Sequence, residues 1–134
     1  MTVFVDTSAL YAVLDADDQY HAQAREAWAD LLTNQTSLVC TNYVLVETFA
    51  LTQGRLGMEA VRTFQEDIVP VLQATWVDKP RHERAVSAVL AADRRQLSLV
   101  DCASFNAMRE LGIKTAFAFD DHFAEQGFDC IPEV

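Results

Sequence analysis

The chain predicts an α/β fold: a three-layer α/β/α sandwich around a short, mostly parallel central sheet. Three observations carry that prediction. Short, largely apolar runs recur at residues 2–5, 37–40, 75–77, 114–119 and 128–131, and strands apolar on both faces belong to a sheet covered on each side. Between them, apolar residues recur at helical spacing. The two patterns alternate, as they do when crossover helices join parallel strands.

Val3-Phe4-Val5 leave no polar face, so residues 2–5 form the first strand. Asp6, Thr7 and Ser8 supply caps for a helix starting near Ala9, and Asp15, Asp17 and Asp18 break it. Ala24, Ala27, Trp28 and Leu31 mark a second helix, followed by a loop from Thr33 to Thr36. Ser37 to Cys40 is the second strand, and Thr41-Asn42 caps the helix that carries Glu47. Gly54 and Gly57 bracket a turn. Met58, Val61, Gln65 and Ile68, with Phe64 beside them, line the next helix, which Pro70 ends.

Thr75-Trp76-Val77 is a short strand, and Pro80 opens a helix with Ala85, Val86, Val89 and Leu90 facing inward. Gln96 to Ser98 connects it to a helix marked by Val100, Ala103, Ala107 and Leu111 and closed by Gly112. Lys114 to Phe119 is a strand, Asp120 to Gln126 a helical turn stopped by Gly127, and Phe128 to Ile131 an edge strand before Pro132.

A chain of 134 residues is expected to be one domain, residues 1–134. Its 51% apolar content supplies a core and excludes a disordered chain. No apolar run approaches the roughly 20 residues that cross a bilayer, and the start lacks the positive and apolar segments of a secretory signal. Cys40, Cys102 and Cys130 are odd in number and form no C-x-x-C pair, so they read as reduced residues of a cytoplasmic protein.

The net charge of −10 argues against loose binding to nucleic acid phosphates. Lys79, Arg81, Arg84, Arg94 and Arg95, however, put five of the ten bases in one 17-residue stretch, a local edge able to guide a polyanion. The acidity also suits a basic partner such as an Arg-rich protein tail.

Asp6, Glu47, Asp101 and Asp120 carry the functional signal. Asp6 and Asp120 end apolar strands, Asp101 opens a helix after Leu99-Val100, and Glu47 sits among apolar helical neighbours Tyr43, Val44, Ala50 and Leu51. Each aspartate alone has a structural role open to it, as a helix cap or first-turn acid. Glu47 does not, because its stripe points toward protein. Carboxylates set against a core need a partner, and four of them point to a shared hard cation with oxygen ligands. Ligands in such folds gather outside the carboxyl ends of the strands. His21, His82 and His122 lack a zinc spacing, and His122 is expected to be a surface side chain. Neither a G-x-x-x-x-G-K-[ST] loop nor a G-x-S-x-G elbow occurs.

Val3-Phe4-Val5-Asp6-Thr7-Ser8-Ala9-Leu10 resembles the opening motif of the PIN-domain nucleases. Val46-Glu47, Leu97-Ser98-Leu99-Val100-Asp101 and Phe119-Asp120-Asp121-His122-Phe123 resemble their other three motifs, in the same order and over nearly the whole chain. The small toxin ribonucleases of VapBC toxin–antitoxin pairs are the most similar branch. The resemblance implies that Asp6, Glu47, Asp101 and Asp120 hold one or two Mg²⁺ or Mn²⁺ ions and cleave RNA. Such ions supply an activated water and relieve charge on the phosphorane. It also implies a homodimer and an antitoxin whose tail blocks the cleft.

Thr7 and Ser8 match the small polar pair after the first aspartate, Ser104 lies one turn after Asp101 facing the same cleft, and Asp121 stands in reserve for Asp120. Ala118 departs from the family, where Ser or Thr is frequent, so a supporting hydroxyl is expected to be missing there. Two other readings compete. A phosphatase or phosphoacceptor domain would use Asp6 as nucleophile, but it wants a second Asp where Ser8 stands and a placed lysine. A non-catalytic interaction domain would not need all four acids.

Overall fold

The computed structural model describes residues 1–133. Strands and helices alternate as β1 (Thr2–Val5), α1 (Thr7–Leu14), α2 (His21–Thr33), β2 (Ser37–Thr41), α3 (Asn42–Leu56), α4 (Met58–Thr63), β3 (Leu72–Thr75), α5 (Lys79–Ala92), α6 (Leu99–Leu111), β4 (Thr115–Phe117), α7 (His122–Glu125) and β5 (Asp129–Ile131). A π-helical turn, Phe64–Ile68, and a 3-10 turn, Val69–Val71, join α4 to β3. The strands form one sheet in the order β3-β2-β1-β4-β5, every pair parallel.

Right-handed crossovers place α1 to α4 on one face and α5 to α7 on the other. The packing agrees: α1 lies against α2 and α3, and α5 against α6. Both faces of β1 are therefore covered, and Val3, Phe4 and Val5 are fully buried. Trp28 of α2 stacks on Phe117 from one side, while Phe123 of α7 packs against Phe4 and Phe105 from the other. This is the expected three-layer sandwich.

The order of the strands also locates a crevice. The chain leaves β1 for β2 on one side and returns later as β4 on the other. The carboxyl ends of β1 and β4 thus flank a topological switch point, where parallel sheets open a cleft. The Asp6 N–H donates to Phe117 O at 3.0 Å and ties the two ends together.

Four details differ from the sequence expectation. The third strand is Leu72–Thr75 instead of 75–77, because β2 ends at Thr41 and offers no further backbone beyond Thr75. The helix α3 runs through Gly54, and only Gly57, with φ +89°, makes the turn. In α5 the face built from Ala85, Ala88, Val89 and Ala92 turns inward, leaving Leu90 72% exposed. Leu111, at the end of α6, is also exposed.

Candidate active site

Backbone geometry sets out the three aspartates alike. Asp6 is the N-cap of α1, and its Oδ2 accepts from Ser8 N at 3.2 Å and from the Ser8 hydroxyl at 2.6 Å. Asp101 closes a capping box at the start of α6. Its N–H donates to Ser98 Oγ at 3.0 Å and its Oδ2 accepts from Ser98 N at 3.1 Å. Asp120 Oδ1 accepts from His122 N at 2.9 Å. In each aspartate one oxygen is anchored and the other takes no hydrogen bond among the described residues. The capping role and the ligand role are therefore compatible.

Glu47 comes from α3, half-buried, with the Thr7 hydroxyl beside it. Thr7 Oγ1 also reaches Val44 O at 3.3 Å and accepts from Thr48 Oγ1 at 3.2 Å, which pins α1 to α3.

The structure sets Asp101 and Asp120 within electrostatic range of both Asp6 and Glu47. Burial pushes the Asp6 carboxyl up to about 7 despite its Ser8 hydrogen bonds, and the charges of Asp101 and Asp120 add to the rise. Burial likewise raises Glu47, held back by Thr7 and helped by Asp101 and Asp120. Asp101 is raised by burial and by Asp120, against its bonds to Ser98. Among the described residues, none of the four carboxylates pairs with a lysine or arginine. Buried carboxylates with like charges around them and no lysine or arginine against them suit a bound cation.

The tightest group is Asp101, Asp120 and His122, one ligand atom of each lying within 4.8 Å of the others. Asp6 and Glu47 are not part of that set. His122 corrects the expectation of a surface side chain: its side chain is only 15% exposed. Its Nε2 faces Gln96 O at 3.1 Å and lies 3.9 Å from Asp120 Oδ1, while its Nδ1 faces Glu125 Oε2 at 3.3 Å. A carbonyl and a carboxylate both accept, so this setting favours a proton on each ring nitrogen. Burial pulls this imidazole down, but Glu125, Asp120 and Asp101 outweigh it and its pKa rises. Sequence spacing does not reveal His122, because Gln96 reaches it through tertiary structure; its place two residues after Asp120 is the one local signal.

The remaining candidates divide. The Ser8 hydroxyl has one proton, which goes to Asp6, so it accepts from Phe119 N at 3.0 Å. It thereby joins the ends of β1 and β4 and supplies a hydroxyl next to the position where Ala118 lacks one. Ser104 is buried and donates to Val100 O at 2.9 Å, so its hydroxyl proton is already spent within α6. Asp121 is exposed and lines a hollow of about 400 Å³ with Phe119, Asp120 and Cys130. Cys40 is fully buried and its thiol is pushed up to about 12, the behaviour of a small core residue.

The model of the PIN domain family matches residues 3–129. This chain belongs to the PIN-domain family. It is 35% identical over 127 residues to the 23S rRNA-specific endonuclease VapC20 of Mycobacterium tuberculosis, in strains CDC 1551 and H37Rv, covering 94% of this chain and 95% of the relative. The crystal structure of M. tuberculosis VapC20, a sarcin–ricin-loop-cleaving toxin, superposes with TM-score 0.83 at 33% identity, covering 94% of this PIN domain and 95% of that chain. FitAcB from Neisseria gonorrhoeae shares the fold, with TM-score 0.67 at 12% identity over 97% of this chain and 96% of its own. No helix among the described residues is long and apolar enough to cross a membrane.

Proposed function

We propose that this PIN domain, acting as one unit over residues 1–134, is a divalent-metal-dependent endoribonuclease and the toxin of a toxin–antitoxin pair. The observation that carries this reading is the set of aspartates at one sheet edge, each with one oxygen anchored and one unspent, and none paired with a lysine or arginine among the described residues. All-oxygen donors of this kind fit Mg²⁺ or Mn²⁺, as one ion or two, held by Asp6, Glu47, Asp101 and Asp120. When bound, such an ion supplies an activated water and neutralises phosphate charge.

The chain's own residues do the rest. Ser8 holds Asp6 against the end of β4, Ser98 orients Asp101, and Thr7 ties α1 to the helix that carries Glu47. His122, when protonated, places a positive charge beside Asp120 and offsets part of the carboxylate charge that would repel a phosphate. A phosphoacceptor reading gains nothing from this geometry: Lys114 lies just before β4 at the far end of that strand, and Ser8 is bound to Asp6.

The likeness to VapC20 supports 23S rRNA, and the sarcin–ricin loop within it, as the substrate. We further propose a homodimer, as the resemblance to the toxin ribonucleases implies, and a cognate antitoxin, whose basic tail would suit the net charge of −10. The unpaired cysteines fit action in the cytoplasm. The test compares wild type with Asp101→Asn on a sarcin–ricin-loop hairpin and unrelated structured RNAs, with Mg²⁺, Mn²⁺ or EDTA. Cleavage confined to wild type with metal supports the reading, and cleavage that survives EDTA refutes it.

A further inference from the structure

The sheet edge that carries the acids also carries an unpacked indole. Trp76 follows β3 directly and is 66% exposed, whereas Trp28 is buried against Phe117. Trp76 is held in place from both sides. Thr75 pairs with Thr41 in the β2–β3 register, and Val77 N donates to Asn42 Oδ1 at 2.6 Å. Both of its neighbours are thus fastened to the start of α3, so little conformational freedom remains to be lost on binding a ligand. Thr75 and Val77 line the cleft between α5 and α6, but the indole does not.

Tyr43 stands next to Asn42, its hydroxyl bonded to His82 Nδ1 on α5. It also precedes Glu47 by one helical turn, and residues so spaced share a helix face with Cβ atoms about 5–6 Å apart. Trp76, Tyr43 and Glu47 are thus all carried by segments that meet at the start of α3. Lys79 and Arg84 follow in α5, exposed and without an ion pair among the described residues, while Arg81 between them is held by Asp78 and Glu110.

We propose that Trp76 is a base-stacking residue of the substrate site. It takes an unpaired RNA base near the scissile phosphate, with Tyr43 flanking it and Lys79 and Arg84 meeting the backbone. This rests on the ribonuclease reading above. Single-stranded nucleic acid is held by such pairings of aromatic faces with cations, because every base has a π-face and every linkage a charge. In a chain of net charge −10, an exposed indole followed by the unpaired Lys79, at the mouth of the cleft that Arg84 lines with Thr75 and Val77, marks where a polyanion is admitted. A basic protein tail would be repelled there by the same two cations.

The experiment reads binding in EDTA at low salt, where cleavage is not required. A sarcin–ricin-loop hairpin RNA, labelled for anisotropy, is titrated with wild type, Trp76→Ala and Trp76→Phe, with tryptophan emission and light-scattering mass recorded for each. Wild-type emission is quenched on binding, with Trp28 as a constant background. Trp76→Ala weakens affinity about 5- to 100-fold and shows no quench. Trp76→Phe recovers most of the affinity and also shows no quench. Unchanged affinity in Trp76→Ala overturns the proposal, as does a change in the mass of the free protein, which would make the indole a subunit contact. If metal-loaded wild type fails to cleave RNA while the quench persists, the ribonuclease reading falls and the stacking site stands.

Discussion

Replacing Asp6 by Asn is expected to stabilise the metal-free protein at alkaline pH. The Asp6 carboxyl is buried and rises from 3.8 to about 7. Between those values the folded state holds a proton that the unfolded chain releases, so stability falls as pH rises. The penalty is absent below pH ~4 and complete above pH ~7. About three units at 1.36 kcal/mol each give roughly 4 kcal/mol. Asn keeps an acceptor for Ser8 but loses its charge, which lowers the expected gain to about 2–4 kcal/mol. For a chain of this size that is on the order of 10 °C in Tm. Thermal denaturation in EDTA at pH 8 and pH 4 measures it. The variant should melt higher than wild type at pH 8, and the gap should close at pH 4. Wild type should recover the difference when Mn²⁺ is added, and the variant should recover much less. A variant no more stable than wild type at pH 8, or equally favoured at both pH values, refutes the reasoning.

Other outcomes follow from the same geometry. Ser8→Ala leaves Phe119 N without its partner, and denaturant melts should show a loss of about 1–3 kcal/mol. Phe123→Ala removes a fully buried ring between Phe4 and Phe105 and should cost about 3–5 kcal/mol in the same assay. Mn²⁺ binding should release protons near neutral pH, because Asp6 titrates at about 7 in the metal-free protein. Calorimetry in two buffers of different ionisation enthalpy reads that number, and affinity should fall as pH drops through 7.

Much of the site was legible because local rules conflict there. Asp6 and Asp120 stand at the ends of strands apolar on both faces, and parallel topology brings those ends to one edge. Glu47 betrays itself on an apolar stripe, where a carboxylate has no structural purpose. Side-chain direction inside a helix was less legible. Ser104 shares a helix with Asp101, but its hydroxyl bonds back to Val100 O, a choice that spacing does not dictate. His122 was placed near the site but expected at the surface, because Gln96 and Glu125 become its partners only when the segment before α6 folds onto α7. The third strand was displaced because Thr-Trp-Val has strong β propensity, yet Val77 N finds the Asn42 side chain instead of a strand. That displacement is also what leaves Trp76 outside the sheet.

Titration of Mn²⁺ into the protein, followed by electron paramagnetic resonance, tests most directly whether carboxylates from separate elements hold a common cation. Wild type should bind one or two equivalents. Asp101→Asn, a nearly isosteric change, should weaken binding at least about tenfold, as loss of a charged ligand to a hard cation requires. Binding that is absent in wild type, or equally tight in Asp101→Asn, would contradict the account.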